Sequence, residues 1–189
     1  QICRVVEGML LALELAAAWV DTLSLSGIAA ELQGSLDLLA SDLVDLPERH
    51  RSIRTTFDAT WRRLERAEQE AFMRLSFFRG GLTRAAARQV AGATLSMLAQ
   101  LIGKSLLQFQ PALERYQLHE VLRQYGQEKL AATEALDAVK HQHFEYYLTL
   151  AETAAERLFG NEQIIWLERL ETEHDNLRAA LTWGLAQSA

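Results

Sequence analysis

Apolar residues recur at helical spacing along most of this chain, and the period shifts to short strand-like runs only around Pro111. Ser105-Leu106-Leu107-Gln108-Phe109-Gln110 and Arg115-Tyr116-Gln117-Leu118 are the strand candidates, with Pro111 to Glu114 turning the chain between them. This restricts the fold to helices carrying one small β-hairpin. Two prolines and ten glycines in 189 residues leave few breakers, and the abundance of Ala, Leu, Glu, Gln and Arg favours helix further. A hydrophobic content of 49% is enough to bury one or two cores.

Around the hairpin the helices order themselves. A mostly buried helix is expected over 2–20, broken by Thr22, Ser24, Ser26 and Gly27, with a short helix over 28–33. Pro47 marks a boundary. Ser52 can cap a helix over 53–64 that turns Phe57, Trp61 and Leu64 to one face, and 67–77 follows with Ala71, Phe72, Leu75 and Phe78 inward. Gly80-Gly81 stops that helix, Thr83 can cap the next over 84–91, Gly92 ends it, and Leu95, Leu98, Leu101 and Ile102 mark a fourth. Helices followed by a hairpin predict a winged helix-turn-helix over 47–130. From Ala135 on, Leu136, Val139, His143, Tyr147, Ala151, Ala154 and Leu158 form one stripe. Two further helices are expected with Ile164, Leu167 and Leu170, then Leu177, Ala180, Leu181 and Leu185, inward. That succession is similar to the start of an α-solenoid of the TPR kind.

Charge divides the chain in the same places. Residues 1–46 sum to −6, residues 47–130 to +6 and residues 131–189 to −6. A basic block between acidic ones can hold an anion or simply pack against its neighbours. Cys3 is the lone cysteine, so no internal disulfide can form, and a reducing, cytoplasmic compartment fits. The longest apolar stretch, Met9 to Val20, contains Glu14 and is too short to span a bilayer, so no membrane partner is expected. The chain opens at Gln1 within an apolar helical run, and we expect it to be part of a larger protein.

No catalytic constellation is legible. Gly80-Gly81 lacks the Lys-Ser/Thr that a phosphate loop needs. His119-Glu120 begins like a zinc-protease motif, but Arg123 stands where the second histidine would be. His141 and His143 diverge by about 200° on a helix, so they cannot share a metal. Within the winged helix, residues 94–104 would be the DNA-reading helix, offering Thr94, Ser96, Gln100 and only one cation, Lys104. The arginines gather elsewhere, at Arg51, Arg54, Arg62, Arg63, Arg66, Arg74, Arg84 and Arg88, so DNA contact by this module is not expected.

Five stretches, in order, carry a resemblance: Val6 to Ala17; Arg49 to Phe57; Leu75-Ser76-Phe77-Phe78-Arg79-Gly80-Gly81; Lys104 to Leu107 with Tyr116-Gln117-Leu118-His119-Glu120; and Glu173-His174-Asp175-Asn176-Leu177-Arg178-Ala179-Ala180-Leu181. Together they resemble the region downstream of the nucleotide-binding core in STAND-class signalling NTPases, which include the NB-ARC proteins and bacterial transcriptional regulators of the LuxR/MalT and AfsR/SARP kind. The resemblance implies that residues 1–46 are the helical end of a nucleotide-binding module, 47–130 a winged-helix lid, and 131–189 the start of a helical repeat region. Gly8, Met9, Leu10 and Leu11 match the family's Gly-Leu-Pro-Leu motif on the adenine side of the nucleotide, with Leu10 replacing the proline. Leu118-His119-Glu120 matches the Met-His-Asp motif, whose histidine contacts the diphosphate of ADP. The alternative for His119 is a helix-capping or hairpin-end role.

The expected cofactor is ADP or ATP in the intact parent and none in this chain, which should not hydrolyse nucleotide because the groups that bind Mg²⁺ and activate water lie outside it. The expected partners are the parent's own N-terminal nucleotide-binding domain and an inducer or protein on the helical repeats. The runner-up is an autonomous DNA-binding winged-helix regulator with a helical dimerisation or effector domain.

Overall fold

The computed structural model describes residues 2–5, 13, 16, 17, 20, 23–34 and 53–187. Among them the chain is mainly helical with one antiparallel two-stranded hairpin. The helices are α1 (Ile2–Val5), α2 (Leu25–Gly34), α3 (Ile53–Trp61), α4 (Arg66–Leu75), α5 (Arg84–Ala91) and α6 (Leu95–Gly103). The hairpin strands β1 (Gln108–Gln110) and β2 (Arg115–Gln117) follow, then α7 (Glu120–Ala131), α8 (Leu136–Arg157), α9 (Gln163–Thr172) and α10 (His174–Gln187). The expected helix over 2–20 is described only in part, and Gly8, Leu10, Leu11, Pro47 and Ser52 lie outside the described residues.

Local chemistry sets the boundaries. Glu65 opens α4 through a capping box in which its backbone N–H donates to Glu68 at 2.8 Å. Thr83 caps α5 by accepting from the Ala86 N–H at 3.2 Å, and Gly92 closes it in the left-handed region at φ +64°. The start of α2 corrects the sequence reading. Ser24 accepts from the Gly27 N–H at 3.1 Å, so the helix begins three residues earlier than expected and takes Ser26 and Gly27 inside it. A serine that can cap outweighs the breaker character of the residues after it.

One core joins these elements. Phe72 and Leu75 of α4, Val90 of α5, Leu98 and Leu101 of α6, Leu106, Leu107, Tyr116, and Val121, Leu122 and Tyr125 of α7 are all buried in it, with Ile28 and Leu32 of α2. The hairpin pairs Phe109 with Tyr116, and Leu82 bonds to the other edge of Tyr116 at 2.8 and 2.9 Å. Leu82 is a third strand-like position that no alternation reveals, because it is a single residue. On the far side Tyr125 donates to Asp58 at 2.6 Å and Arg54 pairs with Glu128 at 2.7 Å, tying α3 to α7.

Helices α4 and α7 touch at Gly126. A Cβ there would lie 2.6 Å from the Ser76 Cβ and 3.1 Å from the Phe72 ring. Glycine inside a helix is normally a liability of roughly 0.5–1 kcal/mol against alanine. Here the sign reverses: Gly126→Ala is expected to destabilise the fold by about 1–3 kcal/mol through overpacking, measured by urea unfolding followed by circular dichroism.

The apolar faces of the last helices depart from expectation. Of the stripe on α8, Val139, His143, Tyr147 and Ala154 are buried, and Leu150 is buried where Ala151 was expected. Ile164 and Leu167 of α9, expected inward, are 71% and 51% exposed, and Leu181 and Leu185 of α10 are 59% and 71% exposed. On α10 the core takes Ala180 and part of Leu177, while Leu181 and Leu185 of the same stripe stay outside it. Leu95 and Ile102 of α6 are exposed as well, at 58% and 36%, while Leu98 and Leu101 of that helix are fully buried.

Candidate functional site

His119 stands where β2 hands over to α7. It is the N-cap of that helix, its Nδ1 accepting from the Val121 N–H at 3.4 Å, and it is buried at 8% exposure. Accepting at Nδ1 places the proton on Nε2. The capping role offered by the sequence is therefore present, and Gly8, Leu10 and Leu11, its expected companions around a nucleotide, lie outside the described residues. The acidic residue of the same motif, Glu120, is engaged by Arg123 through both carboxylate oxygens at 2.6 and 2.7 Å.

The polar residues at both ends of the candidate reading helix α6 are already engaged. Thr94 caps it by accepting from the Met97 N–H at 3.3 Å. The Lys104 ammonium sits 2.5 and 2.6 Å from the two oxygens of Glu68, which is 3% exposed. Ser96 and Gln100 are exposed beside the apolar Leu95. This is a poor face for base edges, which need Arg, Lys, Asn or Gln free to fork onto them.

A buried polar network joins α10 to the hairpin. Asn176 is fully buried; its amide oxygen accepts the Arg79 N–H at 2.7 Å, and its amide nitrogen donates to the Gly81 carbonyl and to Glu173, each at 2.9 Å. Glu173, at 3% exposure, also takes both guanidinium nitrogens of Arg115 on β2, at 2.5 and 3.1 Å, and the Tyr147 hydroxyl of α8 at 3.0 Å. Gly81 is fixed in identity at this point. Its φ is +86°, and a Cβ would lie 2.9 Å from the Tyr116 carbonyl oxygen. Sequence reading quoted Glu173 and Asn176 as a matching stretch and gave them no role. Their spacing of three residues across the start of α10 was the available signal.

Beside the network, His143 of α8 is fully buried, with Phe77, Phe78 and Tyr147 ring centroids at 5.0, 5.3 and 4.6 Å. Neither ring nitrogen makes a hydrogen bond. Burial pushes the imidazole down to about 4, with the nearby Asn176 and the Glu173 charge opposing. His143 is a core residue of the stripe.

A cleft of about 750 Å³ opens over the Phe77–Leu82 turn, between α7 and α10. Arg79, Arg123 and Arg178 line it with Glu120, Asp175 and Trp183. His119 is not among its lining residues. Among the described residues no cluster of His, Cys, Asp or Glu could hold a metal ion, and no helix is long and apolar enough to cross a membrane.

Comparison with known proteins gives this arrangement a setting. Over 97% of its length the chain is 36% identical to a Mycobacterium tuberculosis protein named "Putative HTH-type transcriptional regulator", and it matches a Mycobacterium bovis protein of that name equally well. The chain spans 22% of the length of these curated relatives. An "Uncharacterized protein" of Mycobacterium tuberculosis is 32% identical over 74% of the chain and 38% of its own length. No family model matches the chain, and no solved structure matches it. The chain is thus homologous to a region of larger mycobacterial proteins bearing the transcriptional-regulator name.

Proposed function

We propose that this chain is the regulatory region of a STAND-class transcriptional regulator, in which residues 47–130 form a nucleotide-dependent lid and residues 131–189 begin the sensor that biases it. The buried junction of Arg115, Tyr147, Glu173 and Asn176 carries this reading. It clamps the helical segment to both the Gly80-Gly81 turn and the hairpin, so the two parts move as one body. A ligand or protein that engages the helices then acts directly on the lid. It shifts the lid only by its difference in affinity for the two positions.

His119 is the contact through which the lid would feel the nucleotide. Capping uses Nδ1, so donation to a phosphate oxygen belongs to Nε2. The relatives' name supports a role in transcription, and the order of helices and hairpin supports a winged-helix lid. Isothermal titration of the longer protein tests the reading. His119→Ala should weaken ADP much more than ATP; equal losses, or none, remove His119 from the switch.

The second reading, a winged helix that binds DNA itself, is favoured by the helix-turn-helix label of the relatives. The ion pair between Lys104 and Glu68 argues against it. An electrophoretic shift with this chain at two salt concentrations separates the two, since binding through phosphates falls steeply with salt.

A further inference from the structure

The cleft between α7 and α10 brings together three guanidinium groups from three separate parts of the chain. We propose that it is a binding site for a small oxyanion, a molecule whose phosphate or carboxylate group is held by Arg79, Arg123 and Arg178. Its volume, about 750 Å³, is that of a small-molecule pocket. Two carboxylates share it. Glu120 is already committed to Nε and Nη2 of Arg123, and Asp175 stands over Gly80, where a Cβ would lie 3.3 Å from its oxygen. Three cations against two carboxylates leave the cleft positive.

Arg123 supplies the independent sign. Its side chain is nine-tenths buried, yet Nη1 is sealed from water and has no acceptor. A buried charged donor left without an acceptor is costly, and native structures rarely keep one without a reason. An oxyanion bound beside Arg123 answers that charge, and the forked geometry of guanidinium suits both phosphate and carboxylate. Burial lowers the Arg79 pKa and the Arg123 charge adds to the effect, with Glu120 and Asp175 opposing, so Arg79 also gains from an anion. Trp183 offers an aromatic wall for the body of such a molecule. The inference is independent of the lid reading, because it concerns a cleft that His119 does not line.

Isothermal titration of this chain with sodium pyrophosphate and with citrate, at low and at physiological ionic strength, tests it. Saturable one-site binding of either probe is expected. Arg79→Gln and Arg178→Gln should each weaken it by about tenfold, the value of one charged hydrogen bond. Arg66→Gln, at a side chain 92% exposed and outside the cleft, should leave it unchanged. Tighter pyrophosphate assigns a phosphoryl ligand and tighter citrate a carboxylate; either upholds the site. No saturable binding overturns it. So does equal weakening by Arg66→Gln, which marks diffuse charge, or unchanged binding in both Arg79→Gln and Arg178→Gln, which places the anion elsewhere.

Discussion

Glu173→Ala should lower the free energy of unfolding by about 3–5 kcal/mol, the penalty of stranding a buried charge by removing its partner. The stranded charge is Arg115, whose side chain is 8% exposed and has both guanidinium ends on Glu173. Tyr147 loses its acceptor and Asn176 one of its two in the same step. The pair itself need not stabilise much, because desolvating both ions offsets most of their attraction. The double variant Arg115→Met with Glu173→Leu should therefore be far closer to the parent than Glu173→Ala alone. Urea unfolding of the single and double variants, read as a thermodynamic cycle, checks this. A loss below about 1 kcal/mol for Glu173→Ala, the scale of a surface ion pair, would mean that water reaches Arg115 and that the junction is no clamp.

Acid should loosen the same junction through His143. Its folded pKa is pushed down to about 4 from an ordinary 6.5, so below pH 6.5 the unfolded chain takes up a proton that the folded chain refuses. Stability from this group is complete above pH 6.5, falls steadily to about pH 4, and amounts to about 3 kcal/mol at most. The groups around the ring are Phe77, Phe78 and Tyr147, with Glu173 and Asn176 favouring the proton and Arg79 opposing it. Carboxylates across the molecule titrate in the same range, so the informative quantity is a difference. The His143→Leu variant should show a shallower decline between pH 6.5 and 4.5 than the parent, by thermal or urea unfolding at each pH. Parallel curves would show that the imidazole protonates without cost, and the aromatic cage would then be open to water.

The helices and the hairpin were legible because their causes are local. Thr83 and Gly92 announce the two ends of α5, and the structure uses both. The strand pattern on either side of Pro111 announces the hairpin, and the pairs Gln108–Gln117 and Gln110–Arg115 follow from the turn length. The polar core was far less legible. Arg115 in a short strand reads as a solvated cation, and Glu173 between two helices reads as one more surface acid. Only their meeting, 58 residues apart, shows that each is the other's reason for being buried. The same holds for His119, whose position after β2 makes it the cap of α7 through Nδ1.

The amino-acid order alone determined the secondary elements, their succession and the apolar side of each helix, since backbone dihedrals and periodicity depend on residues a few positions apart. Which apolar sides are covered, which charges are buried and where three arginines surround one cleft were decided only by the tertiary arrangement. Burial and pairing depend on what lies across the interface, and the residue across the interface is set by the path of the whole chain.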